Sequence, residues 1–110
     1  MKIDVLGIEY TVERLSKSED KFLEKCDGYC DKTTKRIVIK TEDEESELGD
    51  YSVYMKKITR HEIIHAFLFE SGLAENFEHP NQFGHEETMI DWVAIQFPRL
   101  QKAFKDADAL

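Results

Sequence analysis

The chain has little of what marks secreted and membrane proteins. It contains two cysteines, Cys26 and Cys30, and their lone C-x3-C spacing without a second pair predicts free thiols rather than a zinc knuckle or a disulfide. No N-terminal apolar stretch resembles a signal peptide, and no segment approaches the roughly 20 apolar residues needed to cross a bilayer. We therefore expect a cytoplasmic protein without a membrane partner.

Positive charge is also scarce, since the chain has 15 lysines and arginines but 23 acidic residues, which gives a formal net charge of −8. Binding to nucleic acid depends on clustered lysine and arginine, so nucleic acid is excluded as the main partner. The acidic residues are densest in TEDEESELGD, residues 41–50. This run favours a solvated loop over a partner-binding segment.

What is present is enough for one domain covering residues 1–110. The hydrophobic fraction of 41% can build one core in a chain of 110 residues, and the charged fraction of 35% can cover its surface.

Apolar and polar residues alternate around Gly7, which predicts a strand or hairpin. Residues 28–42, GYCDKTTKRIVIKTE, predict a second hairpin ending in the strand 36–40. The first half is therefore expected to form a small antiparallel sheet.

The second half is predicted to be helical, so the fold class is α+β. A long helix is expected from Tyr51 to Ser71, with Asp50 or Ser52 as its N-cap and Gly72 in the left-handed position that ends it. Its apolar residues cover most of its circumference and predict packing on more than one side.

A loop rich in turn residues follows in 73–84, and then a second helix is predicted over 85–97. Pro98 is expected to end this helix, because proline lacks the amide hydrogen that the helix needs. Residues 99–110 are expected to form a separate short amphipathic helix with a frayed end.

The long helix carries the motif H-E-x-x-H. His61 and His65 are four residues apart, so both imidazoles project from one face, close enough to share one Zn²⁺. Glu62 flanks the pair and could act as general base on a water without being a ligand. Because the surrounding helix is apolar, these polar groups are expected to be buried, at a cost that a bound metal would remove.

A catalytic zinc needs a third protein ligand, and the second helix offers one in HEETMID. Glu87 and Asp91 share a helical face, so Glu87 could bind the metal while Asp91 accepts the distal N–H of a ligating histidine. The residues leave open other candidates for the third ligand: Glu86, His79 and His85.

H-E-x-x-H followed by a helix with E-x-x-x-D resembles the gluzincin metallopeptidases. The chain is similar to their minimal domains, including small phage- and prophage-type peptidases and the ImmA/IrrE-like group, over residues 29–97. The resemblance implies a minimal zincin fold and zinc-dependent hydrolysis of a peptide or protein substrate. It also implies that the zinc ligands are His61, His65 and Glu87. It further implies that Glu62 is the general base and acid and that Asp91 is the hydrogen-bond partner of His61.

The resemblance further implies that the strand at Ile37–Ile39 is an exposed edge able to align an extended peptide. The chain has no counterpart of the C-terminal subdomain that stabilises the transition state in larger members. Residues that could substitute for it are Tyr51, Tyr54, His79 and His85. The alternative function is a zinc-stabilised module that binds a protein partner without cleaving it.

Overall fold

The computed structural model describes residues 1–75 and 87–110, and the side chains of six of them, 75, 87, 88, 90, 91 and 94, are left undescribed. The described elements comprise four strands and two long helices, in keeping with the predicted α+β class. The strands are β1 (Lys2–Val5), β2 (Ile8–Leu15), β3 (Gly28–Asp31) and β4 (Arg36–Lys40), and the helices are α1 (Tyr51–Ser71) and α2 (Glu87–Asp106). Short 3-10 helices span Lys21–Glu24 and Leu73–Glu75.

The sheet is mixed, so the prediction of a purely antiparallel sheet is wrong. Its strand order is β1-β2-β4-β3. Both predicted hairpins are antiparallel pairs, β1 with β2 and β3 with β4, but β2 and β4 run parallel, with Val12 opposite Ile37. The end of β2 and the start of β3 lie at the same end of the sheet, since Leu15 is opposite Lys40 and Gly28 is opposite Ile39. The connection between them passes the end of β4, so β3 forms the far edge and β4 returns between β3 and β2, parallel to β2.

The first hairpin turns at Leu6 and Gly7, both of which have positive φ, 53° and 90°. This left-handed pair suits a two-residue turn, since its twist matches that of the flanking strands. The Asp4 side chain accepts a hydrogen bond from the Gly7 amide at 3.0 Å and stabilises the turn. The predicted hairpin around Gly7 is therefore confirmed.

The bounds predicted for α1 are confirmed. Asp50 is the N-cap, and its carboxylate accepts from the Ser52 amide at 3.0 Å. Gly72 takes the left-handed conformation at φ 80° and donates to the Phe69 carbonyl. The helix packs on β1, β3, β4 and α2. Its circumference is not wholly covered, however, because Ile64 is 39% exposed.

The second helix does not end at Pro98, and the separate helix predicted over 99–110 is instead its continuation. α2 runs without interruption to Asp106, with Pro98 inside it. Beyond the proline, Leu100 and Ala103 are buried in the core at 4% and 1% exposure. Burial of this half offsets the roughly 3 kcal/mol that an internal proline costs, which explains why the local rule failed.

One core lies between the sheet and the two helices. It is formed by the strand residues that face the helices together with the inner faces of α1 and α2. The largest of its fully buried side chains are Tyr10, Phe67, Ile37, Ile39 and Ile63. The acidic run 41–50 forms the loop that leads from β4 to α1, as expected.

Candidate metal site

The two histidines of α1 are brought together by helical geometry. Nε2 of His61 and Nε2 of His65 are 3.1 Å apart, and the rings meet edge to face with centroids 4.8 Å apart. Each of the two side chains therefore points its Nε2 atom toward one position beside the helix.

This separation fits a shared zinc ion. Tetrahedral zinc at roughly 2.0–2.1 Å from each imidazole nitrogen needs ligand atoms about 3.3 Å apart, close to the distance between the two Nε2 atoms. Potential ligand atoms of His61, Glu62 and His65 all lie within 4.8 Å of one another. The donor set is thus suited to a borderline-soft cation such as Zn²⁺, held by the two imidazoles with Glu62 beside them.

Glu62 occupies a very different environment from its histidine neighbours. It is only 6% exposed, and its Oε2 has no hydrogen-bond partner among the described residues. Burial raises the pKa of the Glu62 carboxyl, while His65 and His61 oppose that shift. A desolvated carboxylate without partners is a stronger base than one in water.

The expectation that all three polar groups are buried is therefore wrong for the histidines. His61 is exposed and His65 is half-buried, because the face that carries them lies beside the core rather than in it. A metal is not needed to offset the burial of the imidazoles. Of the three motif residues only Glu62 is buried, and its Oε2 has no hydrogen-bond partner among the described residues.

A stack of side chains lies against His65, the half-buried histidine. The rings of His65 and Phe69 lie nearly parallel, with an interplanar angle of 20° and centroids 6.0 Å apart. The Lys32 ammonium lies 5.1 Å from the centroid of the Phe69 ring, a distance at which cation–π attraction operates. This arrangement restricts the ring of His65 from one side.

The predicted third ligand and its partner are not settled. The backbone of Glu87 begins α2, and Asp91 lies one turn further along it, but both side chains fall outside the described part of the chain. The other candidates, Glu86, His79 and His85, lie outside the described residues altogether. Glu87 as ligand and Asp91 as its partner in orienting His61 stay predictions.

The strand at Ile37–Ile39 is not an edge, contrary to the expectation drawn from the resemblance. β4 pairs with β2 on one side and with β3 on the other, and Ile37, Val38 and Ile39 are all fully buried. Because the edge on this side of the sheet is β3, any peptide added there would pair with β3 instead.

β3 lies directly against α1 beside the histidines. A Cβ atom built on Gly28 would lie 2.9 Å from Cγ2 of Ile58, so only glycine permits this approach. Cys30, two residues along the strand, is half-buried and packs against the core. Burial first, and then the negative charge of Glu62, raises the pKa of the Cys30 thiol to about 12.

The two tyrosines considered as transition-state stabilisers are occupied elsewhere. The Tyr51 hydroxyl donates to the Lys40 carbonyl at 2.9 Å, and the Tyr54 hydroxyl donates to Asp27. Both line a cavity near the start of α1, two to three turns before His61. Neither is placed to act at the histidine pair.

Two neighbours of the site, Phe69 and Cys30, were not predicted from the sequence. Phe69 follows His65 by four residues, and this spacing alone predicts contact on a helix surface. Cys30 could not be found in this way, because its position beside Glu62 depends on how β3 packs on α1.

Comparison with known proteins gives no relative: no protein-family model, curated protein or solved structure matches the chain. The gluzincin resemblance therefore stays a prediction that rests on the two motifs. No helix in the described ranges is both long and apolar enough to span a membrane.

Proposed function

We propose that the chain is a zinc-dependent peptidase of the gluzincin type. His61 and His65 hold the metal, Glu87 completes the ligand set with Asp91 orienting His61, and Glu62 is the general base. The observation that carries the proposal is the 3.1 Å separation of the two Nε2 atoms, directly beside the buried Glu62, whose Oε2 has no hydrogen-bond partner among the described residues.

Glu62 has the properties that proton transfer requires. Burial raises the pKa of the Glu62 carboxyl, so the carboxylate accepts a proton more readily than that of a glutamate exposed to water. When bound between the histidines, Zn²⁺ would supply an acidified water and a Lewis acid for the scissile carbonyl. Glu62 takes the proton of the attacking water and then delivers it to the leaving amine.

Among the described strands β3 is the outermost on its side of the sheet, and its outer edge offers a place for the substrate backbone. The Lys40 amide donates to the Asp27 carbonyl, and hydrogen-bonded pairs alternate along an antiparallel ladder. Gly28 and Cys30 consequently point their backbone groups away from β4. An extended peptide pairing with these groups would run past α1 close to Glu62.

The first test measures zinc. Wild-type protein and Glu62→Gln are expected to bind one zinc per chain, measured by elemental analysis after dialysis. His61→Ala and His65→Ala are expected to lose it, because each removes one of two adjacent ligands. Ile64→Ala is the matched control, since Ile64 is a 39% exposed neighbour on the same helix and has no ligand atom. Zinc binding that survives both histidine substitutions contradicts the proposed site.

The second test measures cleavage of an unfolded protein or a peptide library by mass spectrometry. Glu62→Gln keeps the shape of the side chain but cannot accept the proton, so turnover is expected to fall at least ~100-fold with zinc retained. Full activity of Glu62→Gln would overturn its role as base. Stoichiometric zinc without any cleavage by the wild type would favour the zinc-stabilised binding module instead.

A further inference from the structure

A groove of about 470 Å³ follows the outer edge of β3, which is an edge strand of the described sheet. It is lined by Phe22 and Tyr29 on one side and by Cys30 and Phe69 on the other. Cys30 lies opposite Ile37 of the core face, whereas Tyr29 lies opposite Val38 on the reverse face. The groove therefore wraps around the strand edge and has apolar walls on both faces of the sheet.

The groove adjoins the proposed metal site through one residue, Phe69. Phe69 is a wall of the groove and is also the ring that stacks on His65. A peptide paired with β3 would direct alternate side chains to the two faces of the sheet. One set would contact Phe22 and Tyr29, and the other would contact Cys30 and Phe69.

The charged groups of the groove do not favour a charged occupant. Asp31 and Lys32 both line it, so their formal charges cancel. The Asp31 carboxylate already accepts from the amide and hydroxyl of Thr33 and from the amide of Thr34. By contrast, Phe22 leaves 69% of its surface exposed, a large apolar area for a surface residue. The walls thus match an uncharged, bulky side chain.

We propose that this groove is the specificity subsite of the proposed peptidase and takes a large apolar or aromatic side chain of an extended peptide. The inference rests on the proposed function for the choice of a peptide as occupant. Phe22 is the side chain that decides the preference, because it is the exposed wall of the groove and lies away from the histidines.

The test selects binders from a random decapeptide display library on zinc-loaded Glu62→Gln protein, which is expected to bind peptides without cutting them. Enrichment of Phe, Leu, Tyr or Trp at one fixed position is the expected result. A synthetic peptide with the enriched sequence is then measured by fluorescence anisotropy. Its Kd is expected to rise roughly tenfold in Glu62→Gln/Phe22→Ala, and less in Glu62→Gln/Phe22→Leu, which keeps an apolar wall.

Phe97 supplies the matched control. It is an exposed phenylalanine, at 51%, on α2, and it does not line the groove. Glu62→Gln/Phe97→Ala is expected to bind the peptide as tightly as Glu62→Gln. Unfolding curves of all variants check that Phe22→Ala, which removes a ring contact with Tyr29, remains folded.

The outcomes separate the subsite from the catalytic proposal. Cleavage by the wild type together with a selection that enriches no apolar position overturns the subsite and leaves the peptidase standing. An enriched apolar position that depends on Phe22, with no cleavage by the wild type, keeps the subsite and overturns the peptidase. Enrichment that is insensitive to Phe22→Ala places the apolar contact elsewhere and overturns the assignment.

Discussion

The two glutamates of α1 show how surroundings decide the chemistry of one residue type. Glu62 is buried, its Oε2 has no hydrogen-bond partner among the described residues, and burial raises the pKa of its carboxyl. Glu70, two turns later, accepts from the Tyr10 hydroxyl at 2.7 Å and pairs with the Lys35 ammonium. Those partners, Lys35 first, lower the pKa of the Glu70 carboxyl. Glu70 is therefore suited to stabilise the fold, whereas Glu62 is the residue to which we assign proton transfer in the proposed function.

The Glu70 pair predicts a pH dependence of stability. Because the folded-state pKa lies below the ordinary value of 4.5, the stabilisation is fully present above that value and is lost as the pH falls through the lower folded pKa. Glu70→Gln removes the charge and is expected to lower the free energy of unfolding by about 1 kcal/mol at pH 7. The difference from wild type should shrink as the pH falls below 4.5, measured by urea unfolding across the pH range.

Glu45→Gln is the control for that measurement. Glu45 also pairs with a lysine, Lys17, at 3.2 Å, but 81% of its side chain is exposed. Exposed ion pairs contribute little, so this variant should stay within about 0.5 kcal/mol of wild type. A Glu70→Gln deficit that is the same at pH 3 and pH 7 would show that lost packing, not charge, is responsible.

At the scale of elements, the local signals in the sequence were sufficient for α1 and insufficient for the sheet. Asp50 and Gly72 mark the ends of α1 because caps act on the amides and carbonyls next to them. The motif residues His61, Glu62 and His65 were likewise predictable, because their alignment depends only on helical spacing. All three were expected to be buried, and only Glu62 is. This difference was not predictable, since it depends on which face of α1 meets the core.

The order of the strands depends on contacts distant in sequence. Nothing local to β2 or β4 specifies that they pair in parallel. The interior position of β4 did leave a signal, since Ile37, Val38 and Ile39 form a continuous apolar run. Such a run is typical of a strand buried on both faces, whereas an edge strand with one solvent face alternates. Interpreting it as an edge relied on the resemblance rather than on the residues.

Pro98 provides a test of the continuous helix. Inside a helix, proline removes one hydrogen bond and clashes with the preceding turn, whereas at a first helical position it is favourable. Pro98→Ala is therefore expected to raise the free energy of unfolding by about 1–3 kcal/mol. Chemical denaturation measures the change. A loss of stability would instead support the two separate helices that the sequence predicted.

At the scale of the whole molecule, the last residues connect elements that are distant in sequence. Ala107 and Ala109 are fully buried in the core. Basic side chains from β2 and α1 donate to the backbone carbonyls of this segment: Arg14 to Ala107 and Asp108, Arg60 to Ala109, and Lys56 to Leu110. Because Arg60 directly precedes His61, the segment also supports the part of α1 that carries the proposed site.

Deleting residues 107–110 should therefore destabilise the whole domain rather than fray one end. The deletion exposes the core beneath Ala107 and Ala109 and leaves the Arg60 guanidinium without its 2.8 Å carbonyl partner. We expect a loss of about 2–4 kcal/mol, seen as a fall in Tm of roughly 10 °C or more. Leu110→Ala is the control, because Leu110 is 57% exposed and the variant keeps the carbonyl that Lys56 contacts. Equal Tm values for the deletion and the wild type would contradict a stabilising role for this segment.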